Sequence, residues 1–336
     1  MDTELPKAQE LAGKVFNIHN EKDFHHIALE VFHFQRAQNQ LYRSYCEALG
    51  IKPEQVRELS QIPFLPISFF KSHKVVTTDF NPELDFTSSG TTGETTSHHY
   101  IKEAAIYQES FFTAFARYFG DVSDYCILGL LPSYLERKDS SLVYMVEHLV
   151  KRSRHADSGF YLYDYDKLQA TLKRLEANGQ KTILFGVTFA LLDFALQFPI
   201  SLKHTKVLET GGMKGRKKEM TRDELYGILK KQLGTEVMYS EYGMTEMLSQ
   251  AYGADGLFSS PPWMKVLLRD ETDPLSVFGI DEKPRAGAIN VIDLANLYSC
   301  SFIATADLGR MHEDGKFEVL GRLDHADIRG CSQLVL

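Results

Sequence analysis

The sequence predicts an α/β fold, mixed but mostly parallel sheets flanked by helices, with a β-rich C-terminal subregion. Three observations predict it. From about residue 100 to residue 240, short apolar runs alternate with helical segments, the spacing of parallel βαβ units. After Trp263 the pattern changes to short strand-like runs joined by Gly- and Asp-containing turns. Two polar motifs, at Ser88–Gly93 and Tyr239–Glu246, follow strand-like runs, where open α/β sheets place their ligand crevices.

Glu21–Leu49 is helical in pattern and rich in His, Phe and Leu. Ile62-Pro63-Phe64-Leu65-Pro66-Ile67 reads as extended, because a residue before proline avoids the helical region. Val75–Thr78 reads as the strand leading toward the first motif. Glu103–Phe119 is expected as helix and Tyr125–Leu130 as a buried strand. Ser141–Lys151 and Tyr165–Ala177 follow as helices, with a strand in Ser158–Tyr163 between them. Then come strand Thr182–Phe185, helix Phe189–Phe198 and strand Lys206–Glu209. Thr221-Arg222-Asp223-Glu224 has the form of a capping box and opens a helix to Leu233, followed by strand Glu236–Tyr239. The later strands are expected at Val266–Leu268, Ala288–Ile292 and Phe317–Leu320. No linker interrupts the chain. One large domain is expected over 1–336, with a helical part at 1–70, an αβ core at 71–262 and the β-rich subregion at 263–336.

Composition removes several function classes. Of the 336 residues, 37 are Lys or Arg and 45 are Asp or Glu, a net charge of −8, which argues against nucleic acid as a partner. No repeat or low-complexity segment occurs. The acidic start, Met1-Asp2-Thr3-Glu4, carries no apolar segment, so no secretory signal is expected. The most apolar stretch, Thr182–Leu202, is interrupted by Asp193, Gln197 and Pro199 and reads as core, not as a membrane span. Cys46, Cys126, Cys300 and Cys331 stand at neither metal nor disulfide spacing, which fits a reducing, cytoplasmic setting.

Four motifs carry the chemistry. In Ser88-Ser89-Gly90-Thr91-Thr92-Gly93 the glycines let backbone N–H groups approach an anion and the hydroxyls add donors, which suits phosphate. Neither a Walker loop nor Gly-x-Gly-x-x-Gly is present, and a flexible surface loop is the other reading. In Tyr239–Glu246, Tyr242 could stack on a base, Thr245 donate to phosphate and Glu246 hold Mg²⁺; an ordinary turn with a surface acid would look the same. Asp307, in Thr305–Arg310, suits paired ribose hydroxyls, although Asp-Leu-Gly is also a common turn. Arg322, in Gly321-Arg322-Leu323-Asp324, suits ribose or phosphate, or a surface salt bridge. His98-His99 has no partner at ligand spacing and is expected on a strand after the first loop, structural or substrate-lining. Phe69–Ser72, Phe111-Phe112 and Phe185–Leu196 could line an acyl pocket or simply form core.

Taken in order, these four motifs resemble the adenylate-forming superfamily of acyl-CoA ligases, luciferase-like enzymes and peptide-synthetase adenylation domains, over residues 60–330. The resemblance implies the large N-terminal domain of that fold, using ATP and Mg²⁺. It implies that Ser88–Gly93 wraps the ATP phosphates, that Gly211 and Gly212 lie beside adenine or acyl group, and that Tyr242 and Gly243 flank the base. Thr245 and Glu246 would serve phosphate and Mg²⁺, and Asp307 and Arg322 would hold the ribose.

Two departures narrow the choice. The loop continues as Glu94-Thr95-Thr96-Ser97 where relatives have a lysine, and the chain ends six residues after Gly330, where relatives carry a small domain with a catalytic lysine. Only the large domain is expected here. Lys214 is the candidate replacement cation, although with Arg216, Lys217 and Lys218 it also reads as a solvated basic turn. The ending, Asp324–Ser332, looks most like the acyl-protein synthetase of the bacterial bioluminescence fatty-acid reductase complex, and more loosely like phenylacetate–CoA ligases. That likeness implies transfer of the acyl group from adenylate to a cysteine near the C-terminus, a position held by Cys331. His325 and Arg329 nearby would favour its thiolate. The other three cysteines are expected to be buried and inert. The expected function is ATP-dependent activation of a carboxylic, most of all fatty, acid and its transfer to a protein thiol, with an acyl-acceptor or reductase protein as partner. The rivals are a ligase that hands the adenylate to coenzyme A or a carrier thiol with help from a separate chain, and a non-catalytic nucleotide-binding subunit.

Overall fold

A computed structural model describes residues 4–88, 95–131, 139–211, 220–279 and 286–323. Helices α1 (Glu4–Val15), α2 (Glu21–Gln38) and α3 (Gln40–Ala48) come first. The single helix expected over Glu21–Leu49 is two. Asn39 closes α2 and caps α3, its side chain accepting from the Tyr42 amide at 2.9 Å while its Nδ2 donates to the Ser299 carbonyl at 3.1 Å. Next come β1 (Leu65–Pro66), α4 (Phe69–Ser72), β2 (Leu84–Thr87) and β3 (His98–Ile101). The strand expected at Val75–Thr78 does not form. Thr77 is buried, with its hydroxyl on the Ser299 carbonyl at 2.5 Å, and Thr78 has a φ of 69°. The strand that enters the Ser88–Gly93 loop is β2, and β3 leaves it, the two paired antiparallel with Thr87 opposite His98.

The alternation that follows matches expectation: α5 (Ala104–Phe119), β4 (Cys126–Leu130), α6 (Ser141–Ser153), β5 (Gly159–Phe160), α7 (Tyr165–Ala177), β6 (Thr182–Val187), α8 (Thr188–Gln197), β7 (Thr205–Thr210), α9 (Arg222–Leu233) and β8 (Met238–Tyr242). The capping box at Thr221 and Glu224 is present. Strands β9 (Ala251–Ala254) and β10 (Leu257–Ser259), unread in the sequence, precede β11 (Met264–Arg269), β12 (Ala286–Asp293), β13 (Phe302–Met311) and β14 (Phe317–Arg322).

The chain divides into two compact units. The first comprises Met1–Ser110, Thr245–Ser249 and Ser259–Leu336; the second comprises Phe111–Met244 and Gln250–Phe258. In the second, strands run β5-β4-β6-β7-β8, all parallel, and β9 pairs antiparallel with β8. Every residue of β4 and β6 is buried, as strands covered on both faces should be. In the first, β11-β12-β13-β14 form an antiparallel meander and β1 lies parallel to β13. Beside it Phe32, Tyr42, Phe64 and Phe302 pack together, and the Tyr42 hydroxyl donates to the Pro63 carbonyl at 2.6 Å. Among the described residues no helix is long and apolar enough to cross a membrane.

Candidate functional site

In the first unit, Thr245–Ser249 has no helix or strand to hold it, so side chains do. Asp293, the last residue of β12 and fully buried, accepts from the Leu248 amide at 2.8 Å, the Ser249 amide at 3.0 Å, the Ser249 hydroxyl at 2.5 Å and the Ala295 amide at 3.2 Å. Burial raises its carboxyl pKa and these donors oppose the rise. Asn296 Nδ2 donates to the Glu246 carbonyl at 2.7 Å. The imidazole of His99 meets the Thr245 carbonyl at 2.8 Å through Nδ1, which must therefore carry the proton. Burial pushes the His99 pKa down to about 4, so the ring is neutral near pH 7.

Glu246 is buried, not the surface acid of a turn, with 6% of its surface exposed. Desolvation raises its pKa; a hydrogen bond from Ser97, its own amide and the charges of Lys71 and Arg322 pull the other way. A carboxylate taken out of water with so few direct donors is a fit partner for a hard cation.

Asp307 and Arg322 lie opposite each other on β13 and β14, with Arg322 Nε 3.7 Å from Asp307 Oδ1. Asp307 therefore sits on a strand and not in the turn expected, and the ladder carries an irregularity at Leu308/Gly309. The Arg322 side chain is 66% exposed. An ion pair that open contributes under about 1 kcal/mol, so stability does not explain the pairing. Ser88 anchors the first motif: its hydroxyl accepts from the Ser97 amide at 2.9 Å, and its amide donates to the Ser97 carbonyl at 3.1 Å. Ser89, Gly90, Thr91, Thr92 and Gly93 lie outside the described residues.

In the second unit, Gly211 follows β7, and the Thr188 hydroxyl reaches its carbonyl and the Glu209 carboxylate. Gly212 and Lys214 lie outside the described residues. Tyr242 closes β8 with its ring buried, 6.0 Å from that of Phe258. A Cβ at Gly243 would lie 2.4 Å from Glu241 Oε1 and 3.3 Å from Gln250 Cγ, so the Glu241 side chain would have to shift to admit one. Glu209 and Glu241 end neighbouring parallel strands, and Glu241 is bonded by Thr210 at 2.5 Å. Burial pushes both carboxyls to about 7. From the ordinary value of 4.5 up to 7 the folded state therefore holds protons that the unfolded state has released. Stability should fall as pH rises through that window and level off above it. In urea unfolding from pH 5 to pH 8, wild type should lose about 2 kcal/mol more than the Glu209→Gln, Glu241→Gln variant, since both side chains keep some contact with water. Equal slopes would contradict this.

Cys46, Cys126 and Cys300 are buried, as expected, with thiols pushed up to about 11, 11 and 12, and so are poor nucleophiles near neutral pH. Cys331, His325 and Arg329 lie outside the described residues. The sequence did not mark Asp293, Asn296 or Ser97. An Asp and an Asn three apart at a strand end were the available signal, and that spacing is common in turns.

Residues 16–336 match the sequence model of the acyl-protein synthetase family LuxE. The chain belongs to the LuxE family. No curated protein sequence matches it. Among solved structures, 2-hydroxyisobutyryl-CoA ligase in its postadenylation state with 2-HIB-AMP has a TM-score of 0.61 at 14% identity, over 90% of this chain and 68% of that one. A long-chain-fatty-acid–CoA ligase from Archaeoglobus fulgidus gives 0.50 at 15% identity, over 74% and 53%. A mutant form of coronafacic acid ligase from Pectobacterium brasiliense gives 0.42 at 17%, over 60% and 39%. The chain thus spans from about two fifths to about two thirds of these three ligases. The first of these likenesses places this LuxE-family chain in the adenylate-forming fold.

Proposed function

We propose that the protein uses ATP to activate a carboxylic acid, most of all a fatty acid, as an acyl-adenylate and passes the acyl group to a protein thiol, with Cys331 the candidate acceptor. One observation carries this reading. Within one unit Glu246 lies under the charges of Lys71 and Arg322, Arg322 lies against Asp307, and Ser97, bonded to Glu246, also closes the Ser88–Gly93 loop. Carboxylate, guanidinium and ammonium thus share one unit with Ser88, where the hydroxyl-rich motif begins, an arrangement that suits a magnesium nucleotide.

A carboxylate is a poor acyl donor because oxide is a poor leaving group. Attack of its oxygen on the α-phosphorus of ATP forms the mixed anhydride and breaks the bond to pyrophosphate. Mg²⁺, when bound, neutralises charge on the phosphoryl oxygens. Glu246 is the ligand this chain offers it. Ser88 and the donors of its loop hold the phosphates, and Asp307 accepts from the ribose hydroxyls with Arg322 beside it. A thiolate then attacks the acyl carbon and AMP leaves, so a thioester replaces the anhydride. By the same reading Tyr242 and Gly243 serve the base, Gly211 and Gly212 lie beside adenine or acyl group, and Lys214 supplies a cation. The enzyme works in the cytoplasm with a reductase or other acyl-accepting protein.

The full chain, incubated with ATP and a labelled acid, should form an adduct labile to neutral hydroxylamine. Cys331→Ser should still make the adenylate and lose the adduct. An adduct that persists in that variant, or one that forms in wild type only with coenzyme A, would overturn Cys331 as acceptor; the second result would favour the ligase reading.

A further inference from the structure

Ser97 and His99 stand two residues apart where the chain leaves the Ser88–Gly93 loop and enters β3, so their side chains share one face. Both are about 1% exposed. On that face the Ser97 hydroxyl bonds the Glu246 carboxylate, and His99 Nδ1 donates to the Thr245 carbonyl at 2.8 Å. The backbone of Ser97 is at the same time tied to Ser88 on the far side of the loop. One short segment thereby joins two motifs that lie some 150 residues apart, by the His99–Thr245 separation of 146.

The other edge of the His99 ring completes the arrangement. His99, Asn296 and Tyr298 stand together there, with Asn296 bonding the ring. All three residues line one small cavity of about 10 Å³, on the order of the room one water needs.

We propose that Ser97 and His99 are positioning residues that set Thr245 and Glu246 in register with Ser88, so that Ser88 and the metal ligand meet Mg·ATP together. The proposal rests on the nucleotide reading above, and its test separates the two. His99→Leu removes the donor. His99→Asn keeps one, because the Asn Nδ2 falls near the place of Nδ1.

In the full chain without nucleotide, amide hydrogen exchange at 245–249 should quicken about tenfold in His99→Leu and stay near wild type in His99→Asn, as expected for losing one buried hydrogen bond. In calorimetry, ATP affinity in the presence of Mg²⁺ should drop about tenfold in His99→Leu and Ser97→Ala, and within about threefold of wild type in His99→Asn. The KM for the acid should not move. Unchanged protection in His99→Leu, or equal losses in His99→Leu and His99→Asn, would overturn the proposal and leave the ring as core packing. Should wild type bind no ATP at all, the nucleotide reading fails, and the role of Ser97 and His99 in placing Mg·ATP is overturned with it.

Discussion

Asp293→Ala should be the most destabilising single change in the described part of the chain, lowering the unfolding free energy by about 4 kcal/mol. The carboxylate is fully buried and takes four hydrogen bonds, three of them from backbone amides. Its removal leaves the amides of Leu248, Ser249 and Ala295 in apolar surroundings without an acceptor, and each such buried donor costs about 1–3 kcal/mol. Packing around the vacated volume relieves only part of that. Trp263 Nε1 bonds the same Ser249 hydroxyl at 3.0 Å, so the loss should spread to its ring and show in tryptophan fluorescence. Asp293→Asn keeps one acceptor oxygen but turns an amine toward N–H donors, and should cost about half as much. Urea unfolding followed by fluorescence measures both. A loss under about 1 kcal/mol in Asp293→Ala would mean that Thr245–Ser249 is held by something other than this carboxylate.

Glu246→Gln should have the largest effect on activity and little on stability. The side chains are the same shape, and glutamine can still accept from Ser97. A buried carboxyl whose desolvation opposes its charge gives up no stabilisation when the charge is removed, so the melting temperature should hold or rise. What goes is the segment's one carboxylate, the Mg²⁺ ligand of the proposed mechanism. Acid-dependent exchange of pyrophosphate into ATP should fall at least about 100-fold, in the range seen when transition-state charge loses its partner.

Much of this was legible in the sequence, for physical reasons that differ by region. Strands β4 and β6 read correctly because parallel strands covered on both faces appear as continuous apolar runs, and α9 because its capping box spells its start. Strand β13 was missed although it spans ten residues, because Asp307-Leu308-Gly309 has the composition of a turn. The structure uses that composition for a ladder irregularity instead, which sets Asp307 opposite Arg322. The break at Asn39 was hidden because the asparagine bonds to Ser299, a residue no local pattern reports. The site divides the same way. Glu246, Asp307 and Arg322 stand in motifs and could be read. Asp293, Ser97 and the role of His99 depend on tertiary contacts, and nothing in their neighbours along the chain announces them.

Acid-dependent ATP–pyrophosphate exchange, run on wild type and Glu246→Gln across carboxylic acids from acetate to long-chain fatty acids, tests adenylate formation most directly. Wild type should exchange label only when a suitable acid and Mg²⁺ are both present, most with a fatty acid, and Glu246→Gln should stay near background with every acid. No acid-dependent exchange in wild type with any member of the panel, or full exchange in the variant, would contradict acyl-adenylate formation at Glu246.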